Sequence, residues 1–445
     1  MMKRTLAMAI AGLAGGAALL MAGALGSPES GPGDRAAVAD IGATPSGEPR
    51  LPAGASMTDL ISSLQTRLED VPGDHVSWAT LGLAYVQQAK VTVDPSYYPR
   101  ADGVLAKSLE IDDTDNFLAY AGLSALASAR HDFAKARSLA EEGLAINPYS
   151  ALLYGALSDA QLQLGNYDQA FAAIQRMVDL SPDTTSLSRA SYAWELRGDI
   201  DQARALMERA LNDAPTPADR AFALVQLGGL SFDQGDANVA LAYYIAALGA
   251  FPNDVAALAG KAKAEAALGQ VETAVSDYAS VVDRAPEPGY IIEYARLLES
   301  LGRTDEADEQ HRVFEATQVL FEASGVEPDA SATLYYADRG DSERALADAQ
   351  QGIATRPFVV MYDARAWALH LSGRDQEAIA SIDQALELGT RSALFHFHAG
   401  MIARSLGDLD RARTELTTAL SINPVFDPIS APVARQTLAA LSAAA

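Results

Sequence analysis

The sequence predicts an all-α solenoid of about ten helix-turn-helix repeats with a helical cap at each end. Three observations carry this. A hexad opening with glycine recurs eight times: GNYDQA at 165, GDIDQA at 198, GDANVA at 235, GQVETA at 269, GRTDEA at 302, GDSERA at 340, GRDQEA at 373 and GDLDRA at 407. Prolines fall between the hexads, at 148, 182, 215, 252, 286, 357 and 424, each after an apolar helical run. Alanine and leucine abound while aromatics make up 7% of 445 residues, which suits closely packed helices better than a β-rich core.

The hexad has the chemistry of a turn between helices. Its glycine takes the left-handed conformation that ends one helix. An acid or asparagine two or three residues later suits the cap or first turn of the next. The closing alanine lets two helices approach. Proline cannot continue a helix, so it separates one helix pair from the next.

From the N-terminus, Lys3 and Arg4 precede an uncharged stretch from Thr5 to Gly26, with small residues at Ala22, Ala24 and Gly26. Residues 1–26 thus read as a secretory signal peptide or, if uncleaved, a signal anchor. Either form sends the remainder out of the cytoplasm, to a secreted or cell-envelope location. Residues 27–56 hold five prolines without apolar periodicity and read as a disordered linker. Leu60, Ile61, Leu64 and Leu68 form one stripe, a capping helix over 57–72.

The array itself spans 75–424, and its residues resemble the tetratricopeptide repeat family. In SWATLGLAY, Trp78, Leu81, Gly82 and Tyr85 occupy positions 4, 7, 8 and 11 of that family's unit. Carried through ten units, the phase puts alanine at position 20 every time, from Ala101 and Ala136 to Ala378 and Ala412. The resemblance implies a right-handed superhelix whose first helices line a concave groove at positions 2, 5, 9, 12 and 13.

Departures from the repeat are specific. The first unit carries the insertion VTVDPSYYP at 91–99, and the second has His131 where the others have glycine. Histidine tolerates left-handed geometry better than most residues, so His131 reads as a turn residue. The second helix near 305–324 is overlong, carries Phe314 in a slot usually small, and ends at Gly325, which suggests a joint near 325–329. After Pro424, residues 425–445 supply the C-terminal cap, with Pro432 in its first turn.

Function classes narrow in the same way. A net charge of −25 disfavours phosphate backbones, so no nucleic-acid partner is expected. Without cysteine there are no disulfides, thiolate metal sites or thiol nucleophiles. No HExxH, P-loop, GxGxxG or GxSxG motif occurs. The acids read as solvated helix faces, and distant units of a solenoid are not expected to meet. No catalytic residue, cofactor or metal is therefore expected. The chain reads as a non-enzymatic scaffold that binds other proteins or peptides and meets a membrane only through an uncleaved N-terminus. The alternatives are an exported accessory protein binding a glycan or peptide, or a membrane-tethered assembly factor.

Positions 5 and 9 of the units lack the lysine and asparagine of the family's carboxylate clamp. Two apolar clusters mark the implied groove instead: Phe222, Val225 and Phe232, near Tyr192 and Glu195, and Leu334, Trp367, His370, Phe397 and Met401. Trp367 at position 9 is the candidate anchor. In LFHFHAGM, His396 takes position 4 and is expected to pack as an aromatic. His398, about 200° further round the helix, is expected at the groove rim near His370.

Overall fold

A computed structural model describes residues 57–443, together with Gly42–Ala43 (β1) and Pro49–Arg50 (β2), which pair antiparallel. Residues 1–26, read above as a signal peptide or anchor, the rest of 27–56 and the last two residues lie outside the described residues.

A lone helix, α1 (Met57–Asp70), precedes ten helix pairs. Units 1 to 5 are α2 (His75–Thr92) with α3 (Tyr97–Ile111), α4 (Phe117–Ala129) with α5 (Phe133–Ile146), α6 (Ala151–Gln163) with α7 (Tyr167–Leu180), α8 (Thr184–Leu196) with α9 (Ile200–Asn212), and α10 (Pro217–Asp233) with α11 (Ala237–Ala250). Units 6 to 10 are α12 (Val255–Ala267) with α13 (Val271–Arg284), α14 (Pro288–Ser300) with α15 (Thr304–Ala323), α16 (Ala330–Asp338) with α17 (Ser342–Thr355), α18 (Val359–Leu371) with α19 (Asp375–Ala385), and α20 (Ala393–Ser405) with α21 (Leu409–Ile422). The last helix is α22 (Ser430–Ala443).

The hexads end one helix and start the next. All eight hexad glycines have positive φ, and so does His131, at 63°. At Gly198 the amide of Asp199 reaches back to the Trp194 carbonyl, closing the α8 terminus. Where a side chain caps the second helix, it follows the turn residue directly: Asp199, Asp341 and Asp408 after hexad glycines, and Asp132 after His131, each accept the backbone N–H three residues on, while the other five hexads have no side-chain cap. The later acids, such as Asp201 and Glu343, sit in the first turn beside the positive end of the helix dipole. The position-20 alanines are all buried where the two helices of a unit touch. Leu60, Leu64 and Leu68 of α1 are buried against unit 1. Trp78 is half-buried, its Nε1 donating to the Pro72 carbonyl, whereas Trp194 is 37% exposed beside Arg197.

The array returns onto itself, contrary to the expectation that distant units stay apart. His131 Nδ1 donates to the Glu327 carbonyl at 2.8 Å. The Val359 amide donates to the Tyr167 hydroxyl at 3.1 Å. Thr390 Oγ1 donates to the Leu196 carbonyl at 2.6 Å, and Asn423 Nδ2 to the Phe232 carbonyl at 2.7 Å. The partners are 196, 192, 194 and 191 residues apart. So constant an offset means a superhelix of between five and six units per turn, at about 34 residues per unit, with successive turns in contact. Apolar packing seals the seam: Leu162 and Leu196 share a core with Phe358, Leu369 and Ile402.

The seam also explains the joint. Helix α15 runs 20 residues and ends before Gly325, whose φ is 76°. Phe314 is fully buried there, 3.9 Å from the Tyr335 ring. Immediately afterwards Val326 packs against the α1–α3 core. The overlong helix therefore lies where one superhelical turn finishes and the next begins.

Candidate ligand-binding cavity

Closure turns the concave groove of units 4 to 10 into a cavity of about 700 Å³. Its wall is built from first helices. Tyr192 and Glu195 come from α8, Phe232 and Asp233 from α10, Lys263 from α12, Ile292, Glu293 and Arg296 from α14, and Leu334 and Asp338 from α16. Trp367 of α18 and His398 of α20 complete it, and Phe426 and Asp427 of the loop before α22 cover one side.

That loop is tied down by a dense ionic contact. Arg296 donates to both oxygens of Asp427 at 2.8 and 2.9 Å, to Asp338 at 2.6 Å and to Ser430 Oγ at 3.1 Å. Burial alone would raise the Asp427 carboxyl, but the Arg296 charge and backbone N–H donors hold it down to about 2. Next along the wall, Lys263 Nζ donates to Glu293 at 2.8 Å and lies 5.1 Å from the Phe232 ring centroid. Tyr278 donates to the other Glu293 oxygen at 3.1 Å. Burial opposes the Lys263 charge, yet Glu293 and Asp233 raise its pKa.

Glu195 and Asp233 differ from these pairs. Neither carboxyl makes a hydrogen bond or ion pair among the described residues. Glu195 is partly buried and Asp233 is exposed. Burial, then the like charge of Asp233, pushes Glu195 up to about 8.

Family models of the tetratricopeptide repeat match residues 127–194 and, in a second form, residues 225–287 and 372–425. Those residues are tetratricopeptide repeats, and the chain is a tetratricopeptide repeat protein. Proteins built from these repeats are scaffolds for protein–protein interaction, and this chain is one. A search of curated proteins finds no match. Among solved structures it is similar to a tetratricopeptide repeat protein of Parabacteroides merdae, with 20% identity over 58% of this chain and 98% of that one, and a TM-score of 0.34. It is also similar to PilF of Pseudomonas aeruginosa, with 16% identity over 47% and 90% and a TM-score of 0.36. The Cut9–Hcn1 hetero-tetramer of the APC/C gives 14% identity over 86% and 82%, with a TM-score of 0.42.

The tetratricopeptide phase locates the wall well. Lys263, Arg296 and Trp367 stand at position 9, Glu195 and Phe232 at position 12, and Asp233 at position 13. Of the eight residues singled out in the sequence, Phe232, Leu334 and Trp367 line the cavity. Phe222 and Val225 pack among the helices of units 4 to 6 instead. Phe397 is 3% exposed, with Met401 packed against the same core and the Phe426 ring 5.8 Å away, because the loop before α22 folds over it. His370 sits behind the wall, its Nδ1 on Asp375 at 2.5 Å.

Trp367 is more enclosed than a free anchor. Its Nε1 donates to Asp338 at 2.8 Å and its ring stacks 4.2 Å from His398, with His370 5.1 Å away. The two histidines of LFHFHAGM exchange their expected roles. His398 is the buried one, donating Nδ1 to the equally buried Asp363 at 2.8 Å. His396 is half-buried and bonded to Glu415 at 2.7 Å. The reason is a partner on the preceding unit: Asp363 gives position 6 a buried acceptor, while Glu415 draws position 4 outward. Among the described residues no three histidine, aspartate or glutamate side chains are grouped to hold a metal ion.

The charged wall is what the sequence reading missed. The sequence places Glu195 beside the first apolar cluster, but reads Asp233 and Glu293 only as solvated acids of helix faces and gives Lys263 no role. Glu293 stands at position 6, whereas the signal for Lys263, Glu195 and Asp233 was present, at groove positions 9, 12 and 13. Its meaning depended on the superhelix closing.

Proposed function

We propose that this protein is a non-enzymatic scaffold, acting outside the cytoplasm, that holds an extended segment of a partner protein inside its closed superhelix. The observation that supports this most is the 700 Å³ cavity, with Phe232, Leu334 and Trp367 set among charged groups on one wall. Aromatic and apolar side chains supply burial there, and the charges orient a ligand.

A photo-cross-linking amino acid placed at Leu334 tests it, with Glu309 on the outside of α15 as the control. Adducts with a discrete partner from the Leu334 position, and none from Glu309, are expected. Adducts from Glu309 alone would sink the reading. Export is supported by Lys3 and Arg4 ahead of an uncharged run. Sequencing the N-terminus of protein recovered from the envelope or medium should find a start near Ser27 or an intact anchor. Recovery only from the cytoplasm with Met1 retained would refute export.

A further inference from the structure

We infer that a second copy of this chain stacks on the first, turn edge to linker edge, so that the seam continues from one molecule into the next.

The inference comes from what the seam covers and what it leaves open. Each winding of the superhelix has two edges, one made of the turns within units and the other of the linkers between units. In the seam the turns at His131, Gly165, Gly198 and Gly235 rest against linker backbone at Glu327, Pro357, Gly389 and Ile422. Each turn thus meets the linker that precedes the unit six further on. The later turns have the same left-handed glycine with nothing over it. A Cβ at Gly269, Gly302, Gly340, Gly373 or Gly407 would meet open space. The linkers before units 1 to 5 form the opposite open edge, because no winding precedes the first.

Both open edges carry apolar side chains like those the seam buries. Leu301, Leu371 and Leu409 are exposed at the turns, and Val71 and Tyr149 at the linkers, Tyr149 by 62%. In the seam Phe358 follows Pro357 as Tyr149 follows Pro148, and it is buried with its ring 6.4 Å from that of Tyr167. Tyr167 in turn stands two residues after its glycine, as Leu409 does. The occupant that fits such edges is the surface already seated on their equivalents, which only another copy supplies.

The seam also sets the register. Helix α22 takes the place of an eleventh first helix, since the linker before it is seated on unit 5 through Asn423 and the Phe232 carbonyl. With α1 of the second copy in the place of the eleventh second helix, the next linker in line is that copy's Pro72, over the unit 6 turn. The unit 7 turn then meets Asp113 and Asp115 of the second copy, the unit 8 turn meets its Tyr149, and the unit 9 turn meets its Asp183. A net charge of −25 opposes association at a distance, so the edges have to match locally. They do: Arg303, Arg339 and Arg374 border the turns of units 7 to 9, and Asp113, Asp115 and Asp183 are exposed on the linkers. Arg303 and Arg374 meanwhile pair with Glu306 and Glu377 on the surface, contacts that give way at little cost. Turn edge on linker edge joins unlike surfaces, so stacking extends copy by copy and does not stop at two.

Because the chain has no cysteine, introduced thiols report the contact alone. Whole chains carrying Tyr149→Cys are mixed with whole chains carrying Arg339→Cys under mild oxidation. Disulfide-linked pairs are expected from the mixture and from neither variant by itself. Ultracentrifugation of the unaltered chain should show a mass that rises past the dimer with concentration, and Tyr149→Asp should return it toward the monomer. Arg303→Asp should weaken assembly at least about tenfold, and Asp113→Arg added to the same chain should restore it, which loss of folding would not allow. A monomer at every concentration, a mass that stops at the dimer, or Tyr149→Cys linking to itself would overturn the inference. So would assembly that survives both Tyr149→Asp and Arg303→Asp.

Discussion

Arg189 is among the largest side chains buried in the molecule, only 2% exposed. It grips Asp159 of the preceding unit with two hydrogen bonds, at 3.0 and 2.8 Å. Such a pair gains little over an apolar replacement of both members, but removing one member strands the other charge. Asp159→Ala should therefore destabilise the fold by about 3–5 kcal/mol, read from the denaturant midpoint at constant slope. An unchanged midpoint would show that Arg189 reaches water. His131 makes a different kind of prediction. Burial, then the charge of Arg356, lowers it to about 4 from an ordinary value of 6.5. The folded state thus favours the neutral ring, and between those values the unfolded chain binds more protons. Stability contributed by the neutral ring is complete above about pH 6.5 and declines as pH falls toward 4. His131→Asn, which still tolerates the left-handed turn, should flatten that part of the stability profile.

At the scale of the turn, glycines that look alike in sequence do unlike work. A Cβ at Gly198 would stand 2.4 Å from the Gly389 carbonyl oxygen, and one at Gly165 would stand 2.7 Å from that of Pro357. A Cβ at Gly373 would meet open space. All three residues have positive φ, so alanine costs left-handed strain of about 1–2 kcal/mol at each. Gly198→Ala should exceed this strain by also prising the two superhelical turns apart, whereas Gly373→Ala should show the strain alone. Paired thermal melts and small-angle scattering distinguish the two, since only Gly198→Ala should enlarge the molecule. Helices, turns and caps were legible because each depends on residues within one unit. The glycine, the acid after it and the packed alanine recur at fixed spacing. The seam was not legible, since it depends on superhelical pitch, which accumulates from small rotations between many units. The same limit hid the role of His398, whose partner Asp363 lies on the preceding unit.

Taken whole, the molecule departs from the usual energetics of repeat arrays, in which each unit touches only its neighbours and the ends fray first. Here units 2 to 5 are bonded to the linkers and units of the second turn, and Arg296 of unit 7 holds the C-terminal loop 131 residues away. Unfolding should accordingly be closer to a single transition than in an open array. Hydrogen exchange should find α6, α8, α18 and α20 protected to a similar degree. Independent early loss of α18 and α20 would contradict the seam.

The near-constant offset of 191 to 196 residues across the seam has one more consequence. Open repeat arrays change length by duplicating or losing a unit, because each junction is local. In this chain a unit gained or lost between residues 132 and 326 would shift every later seam contact out of register at once. The count of repeats within one winding is therefore itself a constrained quantity, and variation in length is tolerated only beyond the seam, at the two capped ends.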